Sequence, residues 1–220
     1  YRDDPSGYLK GVLTAPSDFM LDGYPGNLNT WQDLAAWIYS LGISRDVLAP
    51  ARVAELNTLV KDAGSDLEKV KILYALLQKQ TRYINISLGI GGLQPMEASK
   101  VDAVGYGDCK GLSNYMKAML KAVGIRSNLA FVNSGEDFPR VVKDFPSYQF
   151  DHVILCVPLS PDTIWLECTS QTIPFGFLGD FTSDRDVLLI GEGGGKLVHT
   201  PVYGMDQNVQ NTTACVTLSA

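Results

Sequence analysis

Three residues of this chain, Cys109, His152 and Glu167, carry the side chains that a thiol nucleophile and its base require. Cysteine attacks a carbonyl carbon as a thiolate, yet a free thiol has a pKa near ~8.5 and stays mostly protonated at neutral pH. An adjacent imidazole takes the proton, and a carboxylate behind the imidazole fixes the orientation of its ring. These residue types indicate acyl-transfer chemistry if the fold brings them together.

The segment around Cys109 has the local features of a nucleophile position. Asp108 precedes it as the predicted N-cap of a helix, and Gly105, Gly107 and Gly111 let a substrate approach the backbone closely. Unpaired backbone N–H groups at a helix N-terminus favour a negative charge, such as that of a thiolate. The competing interpretation is an ordinary small buried residue, so the partners of Cys109 decide between the two.

His152 interrupts an apolar strand pattern, and Glu167 stands in a second segment that strongly favours β-structure. A buried carboxylate is costly unless it is paired, and a buried histidine is either hydrogen-bonded in the core or part of a site. A short turn between the segments predicts an antiparallel hairpin. With Val157 opposite Ile164, His152 and Glu167 share one face as diagonal neighbours, whereas a slip of one residue separates them.

The same register places Cys156 and Cys168 on opposite faces of the hairpin, which predicts two free thiols rather than a disulfide. A chain of 220 residues does not need disulfides to build its core. No CxxC pair occurs and the chain has two histidines, which argues against a structural zinc site. His199 is interpreted as a surface histidine, and no metal or organic cofactor is expected.

The composition excludes several classes of function. Hydrophobic residues make up 45% of the chain and charged residues 19%, which favours a folded core, and the net charge of −6 argues against a general nucleic-acid binder. No apolar run reaches the ~20 residues of a membrane-spanning helix. The first ten residues lack the apolar segment of a secretory signal, and the chain begins without Met, so export stays open.

Hydrophobic periodicity predicts an α+β fold with an N-terminal helical cluster. The chain is divided into an irregular lead-in at 1–29, a core at 30–194, and a small β appendage or truncated β domain at 195–220. The Gly-rich loop at 89–95 lacks the strand and helix context of a phosphate site. Helices are predicted at 31–41, at 51–62, from Ser65 and from Cys109, and strands at 82–87, 127–133, 149–157, 164–169, 187–190, 196–202 and 212–218.

Three stretches resemble the signature segments of bacterial transglutaminase-like domains, which are related to papain. Residues 106–112, Tyr-Gly-Asp-Cys-Lys-Gly-Leu, resemble the Gly-Asp-Cys helix motif of that family, and residues 150–153 and 165–169 resemble its His and acidic strands. Residues 91–95 are similar to a segment of large exported proteins of the Bacteroidetes type. The resemblance covers about residues 65–190. It departs at Glu167, where the family usually has Asp, and at Lys110-Gly111, where many relatives have Lys-Asp.

The resemblance implies a transglutaminase-core or papain-like cysteine-proteinase fold and a catalytic triad of Cys109, His152 and Glu167. It implies a cysteine peptidase or amidase, or a protein-glutamine acyltransferase, that acts without a cofactor on a protein, peptide or glycopeptide. Flanking β domains and a periplasmic or cell-surface location are expected from the same likeness.

Two further residues are candidates for the second oxyanion donor beside the backbone N–H of Cys109, namely Gln94 and Tyr83, and Asp108 is a candidate for substrate binding. Two other hypotheses remain. In one, the chain is a peptide- or glycopeptide-binding module that has lost turnover, because Glu167 replaces Asp. In the other, the polar trio only satisfies buried hydrogen bonds, and Cys109 is sealed from solvent.

Overall fold

The computed structural model of the chain describes residues 12–134, 140–207, 209 and 212–217. In these residues, helices cover one face of a five-stranded antiparallel sheet, which confirms the predicted α+β class. No helix in the described ranges is both long and apolar enough to cross a membrane.

The chain enters the fold through a hairpin of two strands, β1 (Asp18–Leu21) and β2 (Tyr24–Asn27). The prediction of an irregular lead-in at 1–29 is therefore wrong for these ten positions, and residues 1–11 lie outside the described part. Asp22 and Gly23 form the turn with φ of 48° and 84°. Two consecutive positive φ values characterise the tight hairpin turns that Asp-Gly pairs favour. The Asp22-Gly23 pair is therefore a sequence signal for this hairpin.

Three helices follow, namely α1 (Trp31–Leu41), α2 (Pro50–Leu59) and α3 (Asp66–Gln80). The hydroxyl of Thr30 caps α1 by accepting the N–H of Asp33, and the hydroxyl of Ser65 caps α3 by accepting the N–H of Glu68. Both residues are of types that favour the N-cap position, because Ser and Thr satisfy the free N–H groups of the first turn. Helix α2 ends three residues before the predicted 62.

The connection to Cys109 contains two short strands, β3 (Arg82–Tyr83) and β4 (Tyr106–Gly107), which pair in parallel. An unpredicted helix, α4 (Ala98–Val104), lies between them and ends at Gly105, whose φ of 69° requires glycine. The strand predicted at 82–87 is therefore shorter than expected. Helix α5 (Cys109–Ala122) then begins at Cys109, with Asp108 as its N-cap as predicted.

The central sheet has the order β7-β6-β5-β8-β9, with every neighbouring pair antiparallel. A one-turn helix, α6 (Gly179–Thr182), precedes its last two strands. Val157 pairs with Ile164 in the β6–β7 hairpin, as the sequence predicted. The strands are β5 (Asn128–Val132), β6 (His152–Pro158), β7 (Thr163–Leu166), β8 (Asp186–Gly191) and β9 (Gly194–His199).

The two faces of the sheet bury different sets of side chains, because neighbouring strand residues point to opposite sides. On one face, Val153, Leu155 and Val157 of β6 pack with the helices. On the other, Ile154 and Cys156 pack with Trp165, Leu178 and further apolar residues. The Cys109 helix therefore rests on one side of a sheet that is covered on both.

Strand β9 belongs to the central sheet, although the sequence placed residues 195–220 in an appendage. Added to Gly195, a Cβ atom would lie 2.1 Å from the carbonyl oxygen of Leu189 and 2.7 Å from the Cβ of Ala35 in α1. Helix α1 thus packs directly on this edge of the sheet. The strand predicted at 212–218 is not present at 212–217, and residue 218 lies outside the described part.

Candidate active site

The fold brings His152 and Glu167 into direct contact at the β6–β7 hairpin. His152 is the first residue of β6, and Glu167 follows the last residue of β7. The Nε2 of His152 lies 2.9 Å from the Oε2 of Glu167. The diagonal contact predicted from the register is therefore present.

Cys109 completes the trio from the N-terminus of α5. Its thiol lies close enough to the imidazole of His152 to contribute to the raised pKa of that ring. Because Nε2 faces Glu167, Nδ1 is the ring nitrogen that remains for the sulfur. The imidazole of His152 therefore lies between the carboxylate of Glu167 and the neighbouring thiol of Cys109.

All three side chains are largely withdrawn from water. The exposed fractions are 8% for Cys109, 7% for His152 and 3% for Glu167. Cys109 therefore keeps a small exposed fraction, whereas the purely structural hypothesis requires it to be completely sealed from solvent. Low exposure also strengthens the electrostatic interactions within the trio, because little water screens them.

The environment of His152 favours its protonated form. Burial lowers the pKa of the imidazole, but hydrogen bonds to Cys109 and Glu167, together with the charges of both residues, outweigh burial and raise the pKa to about 10. For Glu167, burial raises the pKa, but the hydrogen bonds from His152 and Thr169 outweigh it and hold the pKa below its usual value. The two shifts agree on an imidazolium beside a carboxylate.

Glu167 is held from several directions. Its Oε1 accepts hydrogen bonds from the Oγ1 of Thr169 at 2.6 Å and from the backbone N of Thr169 at 3.0 Å. The backbone carbonyl of Glu167 accepts a hydrogen bond from the hydroxyl of Tyr74 at 2.7 Å. The sequence gives no reason to assign a role to Thr169, although this residue belongs to the 165–169 segment that contains Glu167.

The carboxylate of Asp108 has a structural role, because both of its oxygens have partners within the chain. Its Oδ1 accepts the backbone N–H of Gly111 at 2.8 Å, and its Oδ2 pairs with the buried ammonium of Lys110. Both oxygens are thus engaged in fixing the turn that presents Cys109. This arrangement does not support the predicted substrate-binding role of Asp108, since no oxygen is left unpartnered.

Tyr83 lies close to the trio. Burial, together with the nearby Cys109, Asp108 and Glu167, raises the pKa of its phenol. The phenol is 46% exposed, so it stands between the buried trio and the surface. Gln94, the other candidate donor, directs its amide to the hydroxyl of Tyr24 at 3.3 Å.

Phe181, which the sequence gave no reason to single out, contacts the site from α6. Its ring meets the ring of His152 edge-on, with centroids 5.4 Å apart. It is 46% exposed and so lies between the imidazole and solvent. No local sequence signal indicates this contact, because Phe181 comes 29 residues after His152 in the chain.

A cavity of about 280 Å³ adjoins the N-terminus of α5 and is lined by Gln94, Met96, Asp108 and six further residues. A larger cavity of about 680 Å³ lies near Arg126, beyond the opposite end of the same helix. The first reaches the residue before Cys109, but Cys109, His152 and Glu167 are not among the residues that line it. The described residues contain no cluster of three or more groups suited to hold a metal ion.

Comparisons with known proteins give likeness in structure but not in sequence. No protein-family profile and no curated protein matches the chain. A candidate protease from Parabacteroides distasonis matches with a TM-score of 0.55 and 15% identity, over 76% of this chain and 31% of that one. LapG of Legionella pneumophila matches with a TM-score of 0.42 and 13% identity, over 67% of this chain and 86% of that one.

At these identities the likeness concerns the fold alone. The chain spans about a third of the length of the Parabacteroides distasonis protein. The order of elements, with a Cys-bearing helix on an antiparallel sheet, matches the fold expected from the family resemblance. The chain thus has an α+β fold that is similar to that of a candidate bacterial protease and consistent with the expected transglutaminase-like, papain-like fold.

Proposed function

We propose that the chain catalyses thiol-dependent acyl transfer on peptide or carboxamide bonds through an acyl-enzyme formed on Cys109. The observation that carries this proposal is that His152 pairs with the carboxylate of Glu167 at 2.9 Å and lies near enough to Cys109 for that residue to raise the pKa of the imidazole. A buried cysteine with a merely structural role has no need of an imidazole backed by a carboxylate. The fold shared with a candidate protease supports the same chemistry.

In the proposed resting state, the proton of the Cys109 thiol already lies on His152, and Glu167 stabilises this imidazolium. The thiolate attacks the carbonyl carbon, forming a C–S bond and a tetrahedral oxyanion. Collapse of this intermediate breaks the C–N bond, and the leaving amine takes the proton from His152. Water or a second amine then attacks the thioester, which releases the acyl group and restores the thiol.

The oxyanion requires donors aimed at its developing charge. The backbone N–H of Cys109 is the first candidate, because N–H groups in the first turn of a helix lack intrahelical acceptors. The phenol of Tyr83 is better placed than Gln94 to be the second, since it lies within the electrostatic reach of Cys109. Gln94 instead donates to Tyr24 across the adjoining loop.

The substrates that fit this chemistry are proteins, peptides or glycopeptides. Water as acceptor gives a peptidase or amidase, whereas an amine gives a cross-linking transferase. Because the match covers only 31% of the Parabacteroides distasonis protein, we also propose that this unit works beside further domains. The family resemblance favours β domains in an exported protein.

The reactivity of Cys109 can be compared with that of Cys215, which is exposed and serves as an internal standard. The protein is treated with iodoacetamide at pH 5.5 and at pH 8.5, and both sites are quantified by peptide mass spectrometry. An ordinary thiol is only about 0.1% ionised at pH 5.5. We expect Cys109 to react at least about tenfold faster than Cys215 at pH 5.5 despite its lower exposure, because the imidazolium holds it as a thiolate.

Substitution of His152 with Ala should abolish this advantage at pH 5.5, and Cys109→Ala should remove the labelled site altogether. A Cys109 that reacts more slowly than Cys215 at both pH values would contradict an activated nucleophile. Peptide libraries incubated with and without an amine acceptor then separate hydrolysis from transfer. Saturable binding without turnover in either assay would favour the binding-module hypothesis instead.

A further inference from the structure

The carboxylate of Glu167 is divided between two partners. Its Oε2 faces the Nε2 of His152 at 2.9 Å, and its Oε1 accepts two hydrogen bonds from Thr169, one from the hydroxyl and one from the backbone N. The hydroxyl bond, at 2.6 Å, is the shortest of the three. Because Thr169 binds Oε1 while Oε2 faces His152, the orientation of the carboxylate is fixed from the side away from the imidazole.

The length of the Glu side chain makes this arrangement feasible. Strand β7 ends at Leu166, so Glu167 and Thr169 lie on the segment that leaves the sheet. Glu167 must extend toward His152 and also turn back to the N–H and hydroxyl two residues ahead. Short polar side chains commonly form such local bonds to the backbone, and the additional methylene of Glu lets it do so while it still reaches the ring.

The backbone of this segment is anchored independently. The buried hydroxyl of Tyr74 in α3 donates to the carbonyl of Glu167, and the side chain of Gln78, one helical turn further on, donates to the carbonyls of Ser170 and Ile173. The Thr169 hydroxyl is therefore presented from a segment whose position is fixed by a helix. A donor that is itself fixed restricts the carboxylate more than one on a free loop would.

We propose that Thr169 is a positioning residue that orients Glu167 toward His152 and thereby adapts the site to Glu at this position. This inference rests on the proposed function. Thr169 acts through the carboxylate and does not contact the thiol or the substrate. Partners that hold a histidine–carboxylate pair from behind tune both the basicity and the orientation of the ring.

The proposal is tested with Thr169→Val, which keeps the shape of the side chain but removes the hydroxyl, and with Thr169→Ser, which keeps the donor. Thr172→Val is the matched control, since Thr172 is exposed and lies three residues after Thr169 in the chain. The chain has two histidines, so NMR titration resolves His152 and provides His199 as an internal reference.

Loss of the hydroxyl weakens the stabilisation of the imidazolium, so the titration midpoint of His152 should fall. We expect a decrease of at least ~0.5 pH unit in Thr169→Val and no change at His199. The rate of Cys109 alkylation at pH 5.5 should fall by about tenfold, the lower end of the effects seen for such partners. Thr169→Ser and Thr172→Val should remain within about twofold of the parent.

An unchanged His152 midpoint in a folded Thr169→Val protein would overturn the proposal. Equal losses in Thr169→Val and Thr169→Ser would also overturn it, because the hydroxyl would then not be the group that matters. If the Val variant does not fold, Thr169→Ala is compared with Thr169→Ser in the same assays. The midpoint of His152 is read without any reaction, so its result stands apart from a failure of Cys109 to react.

Discussion

Asp108 and Lys110 form a buried ion pair directly on either side of Cys109. The carboxylate also caps α5 through the N–H of Gly111, and both charged side chains are at most 6% exposed. The pair encloses the residue whose backbone must present the sulfur to His152. Its geometry therefore sets the first turn of the helix on which the candidate chemistry depends.

Substitution of Asp108 with Ala should destabilise the protein strongly. It removes the helix cap and leaves the ammonium of Lys110 buried without its partner, and breaking a buried pair in this way costs roughly 3–5 kcal/mol. Asp66→Ala is the matched control, because Asp66 pairs with Lys69 in the exposed first turn of α3. That change should cost at most about 1 kcal/mol. Urea unfolding of the two variants measures the difference, and equal costs would contradict the role assigned to the buried pair.

Stability should depend on pH through His152. The pKa of its imidazole is about 10 in the folded protein, against 6.5 for a free histidine. A raised pKa means that protonation favours the folded state, so this contribution is complete below pH 6.5 and is lost as the pH rises toward 10. Glu167, with its lowered pKa, contributes above about pH 4.5 and loses its contribution as the pH falls.

The measurement compares the free energy of unfolding of the parent and His152→Gln from pH 6 to pH 10. The advantage of the parent should shrink across this range. His199 has a raised pKa as well, but it is present in both proteins and cancels in the difference. A constant difference between the two proteins would mean that His152 is not held as an imidazolium.

Glu167 should not be replaceable by either of its nearest analogues. Glu167→Gln keeps the shape but removes the charge that stabilises the imidazolium, so Cys109 alkylation at pH 5.5 should slow by roughly 10–100-fold. Glu167→Asp keeps the charge, but the shorter arm cannot serve both Thr169 and His152. We expect an intermediate rate for Asp, and a rate equal to that of the parent would show that the added methylene has no function.

Gly195 should tolerate no side chain, because β9 is packed against α1. A Cβ there would meet a backbone carbonyl that cannot move aside, that of Leu189, at 2.1 Å. Gly195→Ala should therefore cost about 1–3 kcal/mol. Gly204→Ala is the control, since nothing lies within 4 Å of its Cβ position. Thermal unfolding of both compares the two sites, and an equal melting temperature would place residue 195 outside the core.

Cys156 and Cys168 should remain unreactive thiols in the folded protein. Burial raises the pKa of Cys156 to about 11 and also raises that of Cys168, and the two pack on opposite faces of the sheet. Iodoacetamide at pH 8 should modify them only after denaturation, and a reducing agent should leave the melting temperature unchanged. Loss of a disulfide-linked peptide on reduction would contradict this arrangement.

Local chemistry explains what could be predicted from the sequence. The caps at Thr30, Ser65 and Asp108 need only the residues of one helical turn. The pairing of Val157 with Ile164 follows from a short turn between two β-forming segments, and it led directly to the contact between His152 and Glu167.

What could not be predicted depends on pairing between distant segments. Residues 194–199 join the sheet through β8 and α1, and no local pattern specifies that partner. The contact between Phe181 and His152 likewise arises because α6 crosses the end of β6. The first hairpin differs, since its Asp22-Gly23 turn is a local signal that lies within a segment rich in residues typical of irregular structure. The catalytic roles of the trio and the wider division into domains remain predictions.

The parallel pairing of β3 with β4 links two parts of the site that a substrate would meet together. Two backbone hydrogen bonds, from Arg82 to Gly105 and from Ile84 to Gly107, join the strand of Tyr83 to the turn before Cys109. The backbone segments that carry Tyr83 and Cys109 are therefore tied to each other beside the candidate site. A displacement of the backbone at either residue would therefore be transmitted directly to the other.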